Sequence, residues 1–215
     1  MNKNVILNIG TNRAWYPKGR KRLLDSLEGK FDGDIISWTD EKDIPSPTHL
    51  DVPYAFKPYG FFKAKDLGYK NAFWADSSAI CVKNVKPIFD EIEKCGYFMI
   101  QIGDAAHRWT NDNALKYFGV TREEVIGVPL FMAGMVGFDL TNDLSLEFLK
   151  RWKHAADHGA FNGSWKDHRH DLACGSIIAW QLGIKFHLMS CDWCPYIGKV
   201  YGKPKESAIF HMQGM

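Results

Sequence analysis

The stretch NAFWADSSAICV, residues 71–82, places a charged side chain between two apolar segments. The first segment, residues 72–75, is typical of a buried strand and ends directly at Asp76. Burying an unpaired carboxylate costs several kcal/mol, so Asp76 either lies just beyond the end of the strand or has a strongly interacting partner. The sequence therefore predicts a strand whose carboxyl end presents an acidic group.

The segments around this strand alternate between strand-like and helix-like patterns. Apolar runs of strand length lie at residues 4–10, 34–38, 71–76 and 97–102. Helical patterns lie between them, at residues 21–29, 57–68 and 85–95. This alternation predicts an α/β fold with a mostly parallel sheet flanked by helices. Ligands of such sheets bind beyond the carboxyl ends of the strands, which puts Thr11, Asn12 and Asp76 on one rim. We expect Asp76 to face a ligand there.

Composition narrows the class of protein. The 215 residues are 46% hydrophobic and 24% charged and contain no linker-like segment, which indicates one globular domain over residues 1–215. The net charge of +2 excludes neither an anionic ligand nor nucleic acid. A run of about 18 apolar residues and a signal-peptide pattern are both absent, so we expect a cytoplasmic protein, or one of the host cytoplasm if the source is viral.

The five cysteines have no regular spacing, which suits a reducing compartment. Cys191 and Cys194 form one CxxC pair, with His187 as the nearest additional ligand type. This pair is either a redox or zinc-binding element or two free thiols. Because a second pair is missing from the sequence, free thiols are the simpler interpretation.

The second half of the chain contains a glycine-rich apolar segment at residues 129–140. Its Gly134 and Gly137 indicate that backbone or ligand approaches closely. Further helices are predicted at residues 141–159 and 171–183, and short closing strands at residues 185–189 and 207–212. The basic side chains at 150–154 form either a solvated face or a nucleic-acid-binding stripe, and the solvated face is the simpler interpretation.

Four stretches in fixed order resemble the motifs of one enzyme family. Residues 72–82 (AFWADSSAICV) resemble a strand with an Asp-x-Asp motif, and residues 130–140 (LFMAGMVGFDL) resemble its FNAGVMLINL segment. Residues 168–180 (HRHDLACGSIIAW) resemble its DQDxLN helix start, and residues 208–214 (AIFHMQG) its closing His-x-x-Gly. Over most of its length the chain is similar to nucleotide-sugar glycosyltransferases of the GT-A fold. It is most like the glycogenin and lipopolysaccharide galactosyltransferase group and the related capsular polysaccharide transferases.

The resemblance implies a divalent cation, Mn²⁺ or Mg²⁺, that neutralises a nucleoside diphosphate leaving group. Asp76 and His211 match its ligands, whereas Ser78 replaces the second acid of Asp-x-Asp. Either the cation binds loosely to Asp76, Ser78 and His211, with the diphosphate supplying most ligands, or no metal is used. In the second case basic residues stabilise the leaving group.

The candidate basic residues are Lys57, Lys63 and Lys203, and the simplest alternative for each is a surface side chain. Asp171 matches the first acid of the DQD motif, whose Gln and second acid are replaced. The resemblance implies that Asp171 faces the reacting sugar, where it holds donor hydroxyls, orients the acceptor or acts as a base. Its alternative role is a helix N-cap. Gly134 would allow close approach of the sugar.

Other residues near these motifs are expected to bind the nucleotide. Ser77 and Ser78 would donate hydrogen bonds to the diphosphate. His168 and His170 form either a metal-binding pair or part of a positively charged rim, and we expect the rim. The base-binding residues and possible stacking groups are Thr11, Asn12, Trp15, Trp38, Tyr54 and Tyr59.

The resemblance implies a glycosyltransferase that moves a hexose from a nucleotide-diphosphate sugar, a uridine diphosphate sugar such as UDP-glucose, to an acceptor hydroxyl. The acceptor is a glycan or, as for some phage enzymes, a modified DNA base. The resemblance favours retention of the anomeric configuration, but the altered DQD motif leaves this open. The alternative is a non-catalytic module with a decayed motif that binds a nucleotide sugar or nucleic acid.

Overall fold

The computed structural model describes residues 3–187, 190–197 and 206–213. Its strands are β1 (Asn4–Ile9), β2 (Asp34–Trp38), β3 (Asn71–Ala75), β4 (Ala79–Cys81), β5 (Tyr97–Phe98), β6 (Gln101–Ala105), β7 (Pro129–Phe131), β8 (Met135–Asp139) and β9 (Phe210–Met212). Its α-helices are α1 (Tyr16–Leu27), α2 (Phe56–Asp66), α3 (Lys86–Cys95), α4 (Ala106–Trp109), α5 (Asp112–Phe118), α6 (Asp143–Asp157), α7 (His170–Gln181) and α8 (Ser190–Trp193). A 3₁₀ helix lies at Glu41–Asp43.

Five strands form the central sheet in the order β2-β1-β3-β8-β5. β1 pairs in parallel with β2 and β3, and β8 is antiparallel to β3 and β5. Four of the five strands therefore run in one direction, which confirms the predicted mostly parallel sheet. Antiparallel ribbons of β4 with β9 and of β6 with β7 lie beside it.

The sheet is covered on both faces because its central strands are apolar throughout. In β1, Val5 and Leu7 pack in a cluster with side chains of α2, α6 and α7, whereas Ile6 packs in a second cluster with α1 and α3. This alternation follows from the two-residue period of a strand. No helix in the described part of the chain is both long and apolar enough to cross a membrane.

Three of the predicted elements differ in the structure, and the 3₁₀ helix, α4 and α5 lie in segments for which the sequence predicted no element. α1 begins at Tyr16, earlier than predicted, because Pro17 is tolerated in a first turn that does not need its N–H. The predicted strand at 97–102 is split into β5 and β6. The predicted strand at 185–189 is absent over 185–187, and its last two residues lie outside the described ranges.

Candidate active site

Asp76 lies just beyond β3, at the carboxyl edge of the sheet. Its main-chain N–H donates to the Gly134 carbonyl at 2.9 Å, and Trp74 Nε1 donates to its Oδ1 at 2.7 Å. A Cβ atom at Gly134 would lie only 2.6 Å from Asp76 Oδ2. The close approach predicted at this glycine is therefore made by the Asp76 carboxylate, whose side chain is 35% exposed.

Lys57, in the first turn of α2, is only 2% exposed and lies between two acidic side chains. Its Nζ is 2.9 Å from Asp171 Oδ2 and 3.5 Å from Asp76 Oδ1, and it donates to the Ala133 carbonyl at 3.1 Å. Two carboxylates from separate elements thus share one ammonium. The surface position that was the simplest alternative for Lys57 is wrong.

The charges of this trio depend on one another. Burial alone would lower the pKa of Lys57, but the carboxylates of Asp171 and Asp76 outweigh burial and raise it. Burial raises the pKa of Asp171, and the nearby Lys57 ammonium opposes that shift. The ammonium therefore stays charged at neutral pH, and Asp171 is a stronger base than an exposed aspartate.

Asp171 is held in the first turn of α7 and is 3% exposed. Trp152 Nε1 donates to its main-chain carbonyl at 2.9 Å. The N-cap position belongs to Arg169, so the predicted capping role of Asp171 is wrong. The Asp171 carboxylate pairs with Lys57 instead of capping α7.

His168 and His170 are buried, so the exposed charged rim expected from them is wrong. His168 Nε2 lies 2.9 Å from the Ala160 carbonyl, and His170 Nδ1 lies 2.8 Å from the Phe161 carbonyl. Burial lowers the pKa of His168 and keeps its ring neutral. These contacts fix the turn that precedes Asp171.

A cavity of about 220 Å³ adjoins Asp76, between the end of β1, the start of α1 and the segment before α2. Trp15 and Tyr16 stack at 4.6 Å between ring centroids on one side, and Tyr54 and His49 contact each other on the other. The cavity is lined by Ile9, Thr11, Arg13, Trp15, Tyr16, Glu41, His49, Tyr54, Phe56, Asp76, Ser77 and Ser78. A larger cleft of about 400 Å³ lies near Asn4, at the opposite edge of the sheet.

The structure brings Thr11, Ser77, Ser78 and Asp76 together at this cavity, with Gly134, Lys57 and Asp171 behind Asp76. The Ser77 hydroxyl donates to the Ile9 carbonyl at 2.7 Å and thereby joins the ends of β1 and β3. The Ser78 carbonyl accepts from Arg22 at 3.2 Å.

Several expected site residues lie elsewhere. Lys63 donates to the Asp43 carbonyl on another surface, and Tyr59 donates to Asp157 at 2.6 Å. Trp38 is buried against Trp74, and the exposed Asn12 does not line the cavity. Lys203 lies outside the described residues.

Sequence reasoning missed Arg13, Tyr16, Glu41 and His49. Three of them lie in segments of irregular composition that carry no motif, and Tyr16 precedes the helical pattern predicted at residues 21–29. His49 Nδ1 accepts from the Tyr54 N–H at 3.2 Å, and Glu41 accepts from the His49 N–H at 2.7 Å. These contacts shape the cavity wall.

The residues at Asp76 do not fit the divalent cation that the family resemblance implies. Asp76 Oδ1 already contacts Trp74 and Lys57, and a buried ammonium 3.5 Å away repels a second cation. Ser78 offers a hydroxyl where a second carboxylate would bind more strongly.

His211 does not complete such a site either. It lies between Phe210 and Met212, which are buried in the core, so its side chain projects from the opposite face of β9. In the described ranges, His211, Asp76 and Asp171 do not bring their ligand atoms within 4.8 Å of one another. The direction of the His211 side chain does not favour the expected joint metal site of Asp76, Ser78 and His211, which stays a prediction.

The fold is shared with several glycosyltransferases of known structure. The chain is similar to mouse xyloside xylosyltransferase 1 in its apo form, with TM-score 0.55, 12% identity and 97% of each chain covered. It is also similar to a glycosyltransferase involved in glycosylation of the major capsid of PBCV-1, with TM-score 0.60, 11% identity and coverage of 97% of this chain and 92% of that one.

A third similar structure is the apo form of the bifunctional glycosyltransferase WbbM, with TM-score 0.54 and 10% identity. The match covers 91% of this chain but only 40% of WbbM. Neither a protein-family model nor a curated protein sequence matches the chain. The expectation of a GT-A-type glycosyltransferase fold is confirmed by these structures.

Proposed function

We propose that this protein is a glycosyltransferase that moves a hexose from a uridine diphosphate sugar, such as UDP-glucose, to a hydroxyl of a glycan. The observation that carries the proposal is the buried Lys57 between Asp76 and Asp171, at the edge of a GT-A-type sheet and beside a cavity. A structural core gains little from such a trio, because burying charges is costly.

The cavity suits the nucleoside part of the donor. Trp15, Tyr16 and Tyr54 present aromatic rings for a base, and Glu41 offers a carboxylate for ribose hydroxyls. Arg13 is the cation of the cavity lining and faces the expected diphosphate. In this arrangement the diphosphate lies near Asp76 and Ser78, and the sugar lies towards Asp171.

The reaction breaks the bond between the anomeric carbon and the diphosphate oxygen, where negative charge develops. The three N–H groups of Lys57 already face Asp171, Asp76 and the Ala133 carbonyl, so the ammonium acts on that charge through space and holds Asp76 in position. The acceptor oxygen forms the new bond to the anomeric carbon. Asp171 orients that hydroxyl and takes its proton.

The proposed mechanism uses no divalent cation, because Lys57 provides the positive charge beside Asp76. The replacement of an acid by Ser78 supports this. Two carboxylates balance a divalent ion, whereas Asp76 alone balances the single charge of the Lys57 ammonium. Donor turnover in the presence of EDTA is therefore expected.

A glycan is the proposed acceptor because an exposed aromatic side chain contacts His170, the residue before Asp171. Trp165 is 53% exposed, with its ring edge-on to Tyr54 and to His170 at 5.8 and 5.0 Å between centroids. The Arg169 guanidinium lies over both Trp109 and Trp165 and holds this ring in place. A flat exposed ring suits a pyranose face. A modified DNA base is the less favoured acceptor, since DNA binding would need several phosphate-contacting cations.

The test is donor hydrolysis by the purified protein, measured as release of nucleoside diphosphate from a panel of nucleotide sugars with EDTA or with Mn²⁺. Slow release from one uridine diphosphate sugar, with EDTA as well as with Mn²⁺, is expected. Binding without release from any donor would instead support the non-catalytic module. Release only with Mn²⁺ would overturn the role of Lys57.

A further inference from the structure

A second cluster of chemically reactive side chains lies away from the proposed active site. Glu91 and Cys95 are one turn apart at the end of α3, and His187 reaches them from the segment after α7. Asn71, the first residue of β3, donates to Glu93 on the same helix at 3.2 Å. This end of α3 therefore lies towards the edge of the sheet opposite Asp76.

The three side chains are spaced as ligands of one ion. Cys95 Sγ is 3.6 Å and His187 Nε2 is 3.8 Å from Glu91 Oε2, and all three ligand atoms lie within 4.8 Å of one another. Metal–ligand bonds of about 2.0–2.3 Å in a tetrahedral site separate the ligand atoms by roughly 3.3–3.6 Å. Small side-chain adjustments would therefore bring all three onto one ion.

The His187 ring is held in position by its surroundings. Its Nδ1 lies 3.1 Å from the Met99 carbonyl and 3.2 Å from the Met99 nitrogen, so backbone contacts are available to either tautomer. The ring stacks on Phe98 at 5.7 Å between centroids. When Nδ1–H donates to the carbonyl, the lone pair of Nε2 is free for a metal, an arrangement common for histidine ligands.

We infer that Glu91, Cys95 and His187 form a Zn²⁺ site with a fourth position open to water. A thiolate, an imidazole and a carboxylate together select zinc rather than magnesium or calcium. The ion would join α3 to the segment after α7, and it is independent of glycosyl transfer. His187 was a candidate partner of Cys191 and Cys194, but Cys194 is buried in the core and the Cys191 side chain is outside the described residues.

The test titrates EDTA-treated, full-length protein with Co²⁺ and then with Zn²⁺. One equivalent of Co²⁺ should give a near-ultraviolet thiolate charge-transfer band and the intense visible bands of tetrahedral cobalt, and Zn²⁺ should remove both. In Cys95→Ser, which is nearly isosteric and only partly buried, the near-ultraviolet band should disappear. Zn²⁺ affinity should fall at least tenfold in this variant and in His187→Gln.

The control variant is His154→Gln with His158→Gln, because these two stacked rings on the exposed face of α6 could bind metal adventitiously. It should keep both the cobalt spectrum and the zinc affinity. The inference is overturned if the wild-type protein gives no thiolate band, or if the control variant loses the site while Cys95→Ser keeps it. Because Cys191 and Cys194 would also give a thiolate band, Cys191→Ser should keep the wild-type spectrum, and loss of the band in this variant would overturn the inference even if a ligand variant does not fold.

Discussion

Lys57 Nζ and Asp171 Oδ2 lie 2.9 Å apart in the interior, although they belong to helices that are distant in the sequence, α2 and α7. Neither side chain could be buried alone at an acceptable free-energy cost. Asp76 shares the ammonium from the edge of the sheet. The strand, α2 and α7 are thus joined by charge at the point where the donor is proposed to react.

Replacing Lys57 by Met should lower the free energy of unfolding by about 3–5 kcal/mol, because two carboxylates lose their cation. Urea unfolding at neutral pH measures the change. Lys65→Met, at an exposed position of the same helix, is the control and should change stability by less than about 0.5 kcal/mol. Wild-type stability in Lys57→Met would contradict the charge arrangement.

Asp76→Asn should leave folding intact, since the amide oxygen can still accept the hydrogen bond from Trp74. Donor turnover should fall about 100-fold or more, because Lys57 loses one of the carboxylates that position it. The thermal midpoint and the rate of nucleoside diphosphate release are the two measurements. Full activity in this variant would remove Asp76 from the mechanism.

Gly134→Ala should reduce turnover, because the new Cβ would displace the Asp76 carboxylate that now lies 2.6 Å from its position. We expect a stability loss of about 1–3 kcal/mol from the same overlap. Gly127→Ala is the matched control, since nothing lies within 4 Å of a Cβ there. Equal activity of the two variants would show that the position of Asp76 is unimportant.

Acid should destabilise the protein through His168. Its pKa is lowered by burial in the folded state, so its contribution to stability is complete above the unfolded pKa of about 6.5. That contribution is lost as the pH falls below this value, by up to about 1.4 kcal/mol per pH unit for one proton. Urea unfolding between pH 7.5 and 5 should show this slope, which His168→Asn reduces and His158→Asn, on the surface, leaves unchanged.

Trp165→Ala should weaken binding of the acceptor without changing hydrolysis of the donor. The exposed ring contacts His170, which precedes Asp171, so its removal should raise the KM for a glycan acceptor while donor hydrolysis without acceptor stays constant. Trp180→Ala, another exposed tryptophan of the described chain, is the control and should change neither value. If hydrolysis falls as far as transfer, Trp165 supports the donor site instead.

The sequence was sufficient for the sheet and for the position of Asp76, because apolar strands and an acid at a strand end are local patterns. It was insufficient for Lys57, whose burial depends on two acids that are distant in sequence. The sequence was also insufficient to predict from which face of β9 the His211 side chain projects, because a one-residue change in strand register moves the side chain to the other face. The split of the strand at 97–102 depends on the partners β7 and β8, which no local pattern specifies.

The shared ammonium also restricts how this site can change during evolution. A substitution that removes Lys57 leaves two carboxylates without a cation, so loss of this lysine should be accompanied by loss of an acid at position 76 or 171 in related sequences. A return to an acid at position 78 would add negative charge that a bound divalent ion could balance. Relatives with that acid are therefore expected to lack a lysine at position 57. An alignment of such sequences would test whether a bound divalent ion replaces the Lys57 ammonium in them.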